Sequence, residues 1–225
     1  MTDSPHERAA LAAKIDHTLL DAGATASDVD RLCDEAVACA FAAVCVNPVW
    51  VARCAARLAG TKIGVVSVAG FPLGASLTEI KALEARRAVE AGASEVDVVV
   101  FLGGVKGRQV EEVRADLDAV VRAAAPGTIK AILETGRLTR DETALAARLA
   151  VEAGAAFVKT STGFGSGATV DEVRWLRQIV GREIGVKASG GIRTLEQALA
   201  LIEAGATRLG TSSGVAIVRG AGSAV

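Results

Sequence analysis

Apolar residues in this chain follow two alternating patterns. Short, nearly continuous runs, such as Ala42–Val46 and Val96–Val100, are separated by longer stretches in which apolar positions return every three or four residues. An uninterrupted run suits a parallel strand covered on both faces, and the wider spacing suits a helix packed along one side. The runs predict strands at Lys14–Leu19, Ala42–Val46, Lys62–Val68, Val96–Val100, Ile129–Glu134, Phe157–Thr160, Gly185–Ser189 and Leu209–Ser212. Helices are expected from Ser27 or Asp28 to about Cys39, after Asn47–Pro48 as far as Leu58, and over Thr78–Glu90, Val110–Ala124 and Val170–Val180. A short helix should open the chain, with Ser4 as N-cap, Pro5 in its first turn and Glu7 completing a capping box.

One unit recurs. Glu90–Ala91–Gly92–Ala93, Glu152–Ala153–Gly154–Ala155 and Glu203–Ala204–Gly205–Ala206 each precede a strand, with the glycine placed to end a helix in a left-handed conformation. Repeated helix–glycine–strand units signal alternating α and β structure. Hydrophobic residues make up 51% of the sequence, and no Pro/Ser-rich linker or charge run divides it, so residues 1–225 read as a single domain. The expected fold is α/β, a (β/α)8 TIM barrel with a short N-terminal helix. The competing architecture is an open doubly wound sheet, but no G-x-G-x-x-G follows the first strand. In a barrel, chemistry gathers at the C-terminal ends of the strands, and phosphate groups bind after strands seven and eight.

Composition narrows the function. A net charge of −1 and 3% aromatic residues provide neither an electrostatic footprint nor a stacking platform for nucleic acid. No signal-peptide pattern opens the chain and no membrane-spanning run is present, so no membrane partner is expected. Cys33, Cys39, Cys45 and Cys54 form no C-x-x-C pair and suit a reducing cytoplasm. With His6 and His17 the only histidines, no metal site is expected.

The candidate chemistry centres on Phe157–Val158–Lys159–Thr160–Ser161–Thr162–Gly163, a buried strand that carries a lysine. Lysine is seldom buried without a reason. Burial and a second ammonium both favour the neutral amine, which can attack a carbonyl. Asp97, Lys159 and Gly210 each lie five residues after the recurring glycine, so they should share one layer inside the barrel. Lys187 falls in the neighbouring layer, close enough to act on Lys159 by charge, and Asp97 is placed to move protons, directly or through water. A buried Lys–Asp ion pair is the purely structural alternative. Ser189–Gly190–Gly191 and Gly210–Thr211–Ser212–Ser213–Gly214, with Thr162–Gly163, form candidate anion-binding loops for a phosphorylated sugar or short aldehyde. Asp16 and Thr18 are candidates for a substrate hydroxyl or for a structural role. Cys45 is weighed between substrate contact and a core thiol. Lys130 and Glu134 bracket the fifth strand without an assigned role, and Phe71–Pro72–Leu73–Gly74 is expected to pack over the mouth.

Through Glu95–Val96–Asp97–Val98–Val99, Phe157–Val158–Lys159–Thr160–Ser161–Thr162–Gly163 and Val186–Lys187–Ala188–Ser189–Gly190–Gly191–Ile192–Arg193, the chain resembles the deoxyribose-phosphate aldolases of the DeoC type. The resemblance runs from Lys14–Ile15–Asp16–His17–Thr18 to Gly210–Thr211–Ser212–Ser213–Gly214. It implies a metal-free, cofactor-free class I aldolase acting on 2-deoxy-D-ribose 5-phosphate in the cytoplasm. Lys159 would be the Schiff-base nucleophile, Asp97 the proton donor and acceptor, and Lys187 the lysine that tunes Lys159. Phosphate contacts would come from the loops after strands seven and eight, and the expected assembly is a homodimer or homotetramer. Members of the family often end in a tail closing with tyrosine, whereas this chain ends Gly220–Ala221–Gly222–Ser223–Ala224–Val225 and contains no tyrosine. Slower turnover, or reliance on water for enamine protonation, is the expected consequence. The rival readings are another Schiff-base barrel, transaldolase-like or acting on a keto acid, and, of a different class, a phosphosugar-binding barrel without chemistry or an isomerase using Asp97 with a structural Lys159.

Overall fold

Each apolar run becomes a strand, within two residues of its expected bounds: β1 Ile15–Leu19, β2 Ala43–Val46, β3 Gly64–Ala69, β4 Glu95–Val99, β5 Thr128–Ile132, β6 Phe157–Lys159, β7 Gly185–Ser189 and β8 Arg208–Thr211. The structure, a computed structural model, describes residues 5–220. The expected Ser4 cap and the tail from 221 to 225 lie outside them. Every strand pairs in parallel with the next, and β8 returns to β1 to close the barrel. The helices are α1 Pro5–Ala12, α2 Ala26–Cys39, α3 Val51–Arg57, α4 Thr78–Glu90, α5 Leu102–Lys106, α6 Val110–Ala124, α7 Arg140–Glu152, α8 Val170–Val180, α9 Leu195–Glu203 and α10 Gly214–Arg219.

Two details differ from expectation, each for a local reason. α2 begins earlier because Thr25, not Ser27 or Asp28, is its cap. The Thr25 hydroxyl accepts the Asp28 N–H, and the Asp28 carboxylate accepts the Thr25 N–H in return. The same reciprocal box opens α7 at Thr139/Glu142, α8 at Thr169/Glu172 and α9 at Thr194/Gln197. The short helix α5 was not expected, since two of its residues are glycine, a poor helix former. Its turn is fixed by packing: a β-carbon at Gly104 would stand 2.5 Å from the Phe101 ring. At the opposite ends of the helices, Gly92, Gly154 and Gly205 have φ of +107°, +95° and +114°, where a side chain is strained.

The two faces of the sheet bury different chemistry. The outer face (Val44, Val96, Val98, Ala131, Val158, Val186, Leu209) packs against Ala, Val and Leu of the helices in one continuous apolar core. The inner face carries a small apolar cluster of Ala43, Cys45, Val66, Val68 and Leu20 on one side, and charge on the other. The strand register, with the tilt and shear of eight that close such a barrel, stacks the inward residues in layers of four. Asp16, Val66, Lys130 and Lys187 make one layer; Cys45, Asp97, Lys159 and Gly210 make the next toward the C-terminal mouth; Thr18, Val68, Ile132 and Ser189 lie above.

Candidate active site

Because side chains alternate along a strand, Glu95 and Asp97 both point inward from β4, as do Lys187 and Ser189 from β7. The interior therefore collects charge from several strands at once. Asp97 is fully buried and holds three lysines: its Oδ1 accepts from Lys130 Nζ at 3.1 Å, and its Oδ2 accepts from Lys159 Nζ at 2.9 Å and Lys187 Nζ at 2.7 Å. Asp16, also fully buried, lies 2.6 Å from Lys187 Nζ and accepts from the Arg208 guanidinium at 2.6 Å. Glu95 closes the network from below by pairing with Lys130 and Arg208. The connected cluster sets the carboxylates Asp16, Glu95 and Asp97 against the bases Lys130, Lys159, Lys187 and Arg208, one base in excess.

Charge outweighs burial at Asp97, Asp16 and Lys187. Burial pushes the Asp97 carboxyl up, but Lys130, Lys159 and Lys187 together hold it well below the usual carboxylate range. Asp16 follows the same logic: burial raises it, and Lys187, Lys130 and Arg208 bring it down to about 2. Burial pushes the Lys187 ammonium down, but Asp16 and Asp97 raise it above an ordinary lysine, so Lys187 is a fixed cation at neutral pH. The Cys45 thiol is pushed up by burial.

Above the charged layers a cavity of about 380 Å³ opens at the C-terminal mouth of the barrel. Lys159 lines it, with Thr18, Thr162, Gly163, Ser189, Gly190, Gly191, Gly210, Thr211 and Ser212. Asp97, Lys187 and Asp16 do not line it; they lie beneath and reach it by way of Lys159. Cys45 does not line it either, and packs with Val66, Val68, Leu20 and Phe71 as a core thiol. Ser213 stands outside the lining and donates its N–H to Thr211 Oγ1 at 2.9 Å. Gly163, Gly190 and Gly191 have φ of +90°, +87° and +74°. The loops after β6 and β7 meet backbone to backbone, and a β-carbon at Gly167 would stand 2.6 Å from the Gly190 carbonyl. Small residues are required where these chains cross.

Three site features were not anticipated from the sequence. Lys130, Glu95 and Arg208 complete the ion network, although the alternation of Glu95 with Asp97, and of Arg208 with Gly210, already places them on the inner face. Arg193, quoted above only as part of a motif, brings an exposed guanidinium to the mouth. Glu134 adopts a left-handed backbone with φ +52°, which puts its buried carboxylate under the β6–α8 loop, where it accepts the Thr162 N–H at 3.1 Å. The expected loop Phe71–Gly74 reaches the mouth, and the Phe71 ring packs edge-on against Phe164 at 5.3 Å between centroids.

A family model described as DeoC/LacD family aldolase matches residues 10–221. The chain is 54% identical over 208 residues to the deoxyribose-phosphate aldolase of Brevibacillus brevis, covering 92% of this chain and 94% of that one. It is also 54% identical over 216 residues to the deoxyribose-phosphate aldolase of Thermococcus gammatolerans, covering 94% and 96%. Among solved structures it is similar to the tetrameric deoxyribose phosphate aldolase of Aeropyrum pernix, with a TM-score of 0.89 and 35% identity over 97% of this chain and 93% of that chain. The chain belongs to the DeoC/LacD aldolase family.

Proposed function

We propose that this aldolase cleaves 2-deoxy-D-ribose 5-phosphate reversibly to D-glyceraldehyde 3-phosphate and acetaldehyde through a Schiff base on Lys159. The relatives' names support the substrate. The observation that carries the mechanism is the position of Lys159, the lysine of the charged cluster that lines the cavity. Lys187 touches both Asp16 and Asp97, and Lys130 touches Glu95 and Asp97, whereas among the described residues Lys159 has Asp97 alone and shares Oδ2 with Lys187. Releasing a proton from Lys159 removes the excess positive charge and breaks the fewest ion pairs. Lys187 assists because it competes for the same carboxylate oxygen.

The sequence of bonds follows. The Lys159 amine adds to the C1 aldehyde of the open-chain sugar, and water leaves to give a protonated imine. The imine restores a positive charge beside Asp97, so the cluster keeps its pairing. A base, directly or through water, takes the C3 hydroxyl proton. The C2–C3 bond breaks, its electrons pass into the imine, and the phosphorylated aldehyde departs. Protonation of the enamine carbon and hydrolysis release acetaldehyde and the free amine. Asp97 stays ionised at neutral pH, so its part is to pass protons between the lysines and water and to hold the imine charge. The glycines of the β6–α8 and β7–α9 loops, Ser212 and the Arg193 guanidinium form a rim suited to the phosphate. The reading extends to residues 1–225 as one cytoplasmic domain that works as a homodimer or homotetramer.

The test is product identity. Incubation with 2-deoxy-D-ribose 5-phosphate should release acetaldehyde. Release of dihydroxyacetone or pyruvate from longer donors, with no cleavage of the deoxy sugar, would replace this reading with that of another Schiff-base barrel.

A further inference from the structure

Ser189 holds a hydroxyl that no other described residue uses. The residue is 4% exposed, lines the cavity, and its Oγ has no hydrogen-bond partner among the described residues. The other buried or half-buried hydroxyls of the cavity wall are engaged. Thr18 donates to the Asp16 carbonyl at 2.8 Å, Thr211 donates to the Ile192 carbonyl at 2.6 Å, and Thr162 accepts the Phe164 N–H at 3.1 Å. A buried hydroxyl left unpaired is costly, which is why such a group calls for a partner absent from the protein itself.

The main chain of Ser189 is fixed on both sides. Its N–H donates to Thr160 Oγ1 at 3.0 Å, and its carbonyl accepts from Ser161 Oγ at 2.7 Å. The two residues directly after Lys159, at the end of β6, therefore position Ser189 as well. Across from it, Gly210 leaves a niche: a β-carbon there would stand 2.8 Å from Ser189 Oγ and 3.0 Å from Lys187 Cε. Ser189 belongs to the layer directly above Asp97, Lys159 and Gly210, and the next residues along the chain are Gly190 and Gly191 of the rim. A substrate joined to Lys159 at one end and seated on the rim by its phosphate must pass this hydroxyl with its middle carbons.

We propose that the Ser189 hydroxyl hydrogen-bonds the α-hydroxyl of the acceptor aldehyde, which is the C4 hydroxyl of the cleaved sugar, and so selects 2-hydroxy aldehydes over their deoxy counterparts. A serine hydroxyl can donate and accept together, which suits a sugar hydroxyl. A site built around one such bond discriminates against a ligand that lacks it, because its own polar group is then left unpaired. This inference rests on the aldolase reading above, and its test separates the two.

Wild type and Ser189→Ala are compared in the synthetic direction, with acetaldehyde as donor and two acceptors: D-glyceraldehyde 3-phosphate, and 3-oxopropyl phosphate, which lacks the α-hydroxyl. The variant should lose about tenfold in kcat/KM with the hydroxylated acceptor and less than about twofold with the deoxy one. Solvent deuterium exchange into the methyl group of acetaldehyde, which needs only the Lys159 enamine, should be unchanged and shows that the variant is folded. Equal losses on both acceptors, or no loss on either, with exchange intact, would overturn the role of Ser189 alone. Absence of exchange in the wild type would overturn the aldolase reading and this inference together.

Discussion

Lys81 and Lys159 each bury an ammonium against an aspartate, at 2.8 Å from Asp116 and 2.9 Å from Asp97. Their surroundings differ in every other respect. Lys81 joins α4 to α6, and its Nζ also donates to the Val99 carbonyl at 3.1 Å, while Thr78 donates to the second oxygen of Asp116 at 2.9 Å. That pair is closed: one cation, one anion, nearby hydrogen bonds satisfied, and no share in the lining of the cavity at the mouth. The Lys159 pair is open. Its carboxylate is shared among three lysines, the cluster carries one base too many, and the ammonium faces a cavity. Burial of a lysine is therefore not in itself a sign of chemistry. Excess charge and access to a cavity are what separate a nucleophile from a staple.

The largest effects should come from removing each lysine in turn. Lys159→Met should cut turnover by roughly 10⁴ or more while leaving stability within about 1–2 kcal/mol of wild type. Lys81→Met should do the reverse: it leaves Asp116 buried and unpaired, costs about 3–5 kcal/mol, and leaves turnover per folded molecule unchanged. Replacing the whole pair, Lys81→Met with Asp116→Leu, should recover most of that stability. Denaturant titration and initial rates on the same samples separate the outcomes. If Lys81→Met abolished turnover at full stability, the contrast would fail.

A smaller effect should follow Lys187→Met. Without the fixed cation, Asp97 Oδ2 no longer divides its hold between two ammoniums and binds the Lys159 ammonium more tightly. The rising limb of the pH–rate profile should move alkaline, and imine formation at pH 7 should slow about tenfold or more. A profile that stayed in place would remove Lys187 from the account.

Smallest is the contribution of Asp16 to acid stability. Its carboxyl sits at about 2 in the folded chain, against about 3.9 when unfolded. A depressed carboxyl stabilises the fold fully above about pH 4, and that stabilisation is lost as pH falls toward 2. The loss should be about 2 kcal/mol. The slope of unfolding free energy between pH 4 and 2 should flatten in Asp16→Asn, whereas an unchanged slope would contradict the charge balance described here.

The same contrast explains what the sequence could and could not reveal. Strands were legible because burial on both faces leaves uninterrupted apolar runs, and Gly92, Gly154 and Gly205 mark helix ends by a conformation that other residues resist. Asp97, Lys159 and Lys187 stood out because each interrupts such a run. Glu95 and Arg208 open their strands, where a charge looks like a solvated edge, and Lys130 sits mid-strand without a visible partner; only two-residue alternation places them inside. Lys81 sits on the buried stripe of α4 with Ala85 and Ala88, but its partner is 35 residues away on another helix, so no local pattern pairs them. Glu134 owes its place to a left-handed backbone that its residue type does not announce.

The central claim is that the lysine exposed to the cavity, and not its equally buried counterpart, forms the imine. Incubation with acetaldehyde and borohydride, followed by peptide mass mapping, tests it directly. The account predicts a two-carbon mass increment on Lys159 and none on Lys81, Lys130 or Lys187; an unlabelled Lys159, with the label on another lysine or on none, would contradict it.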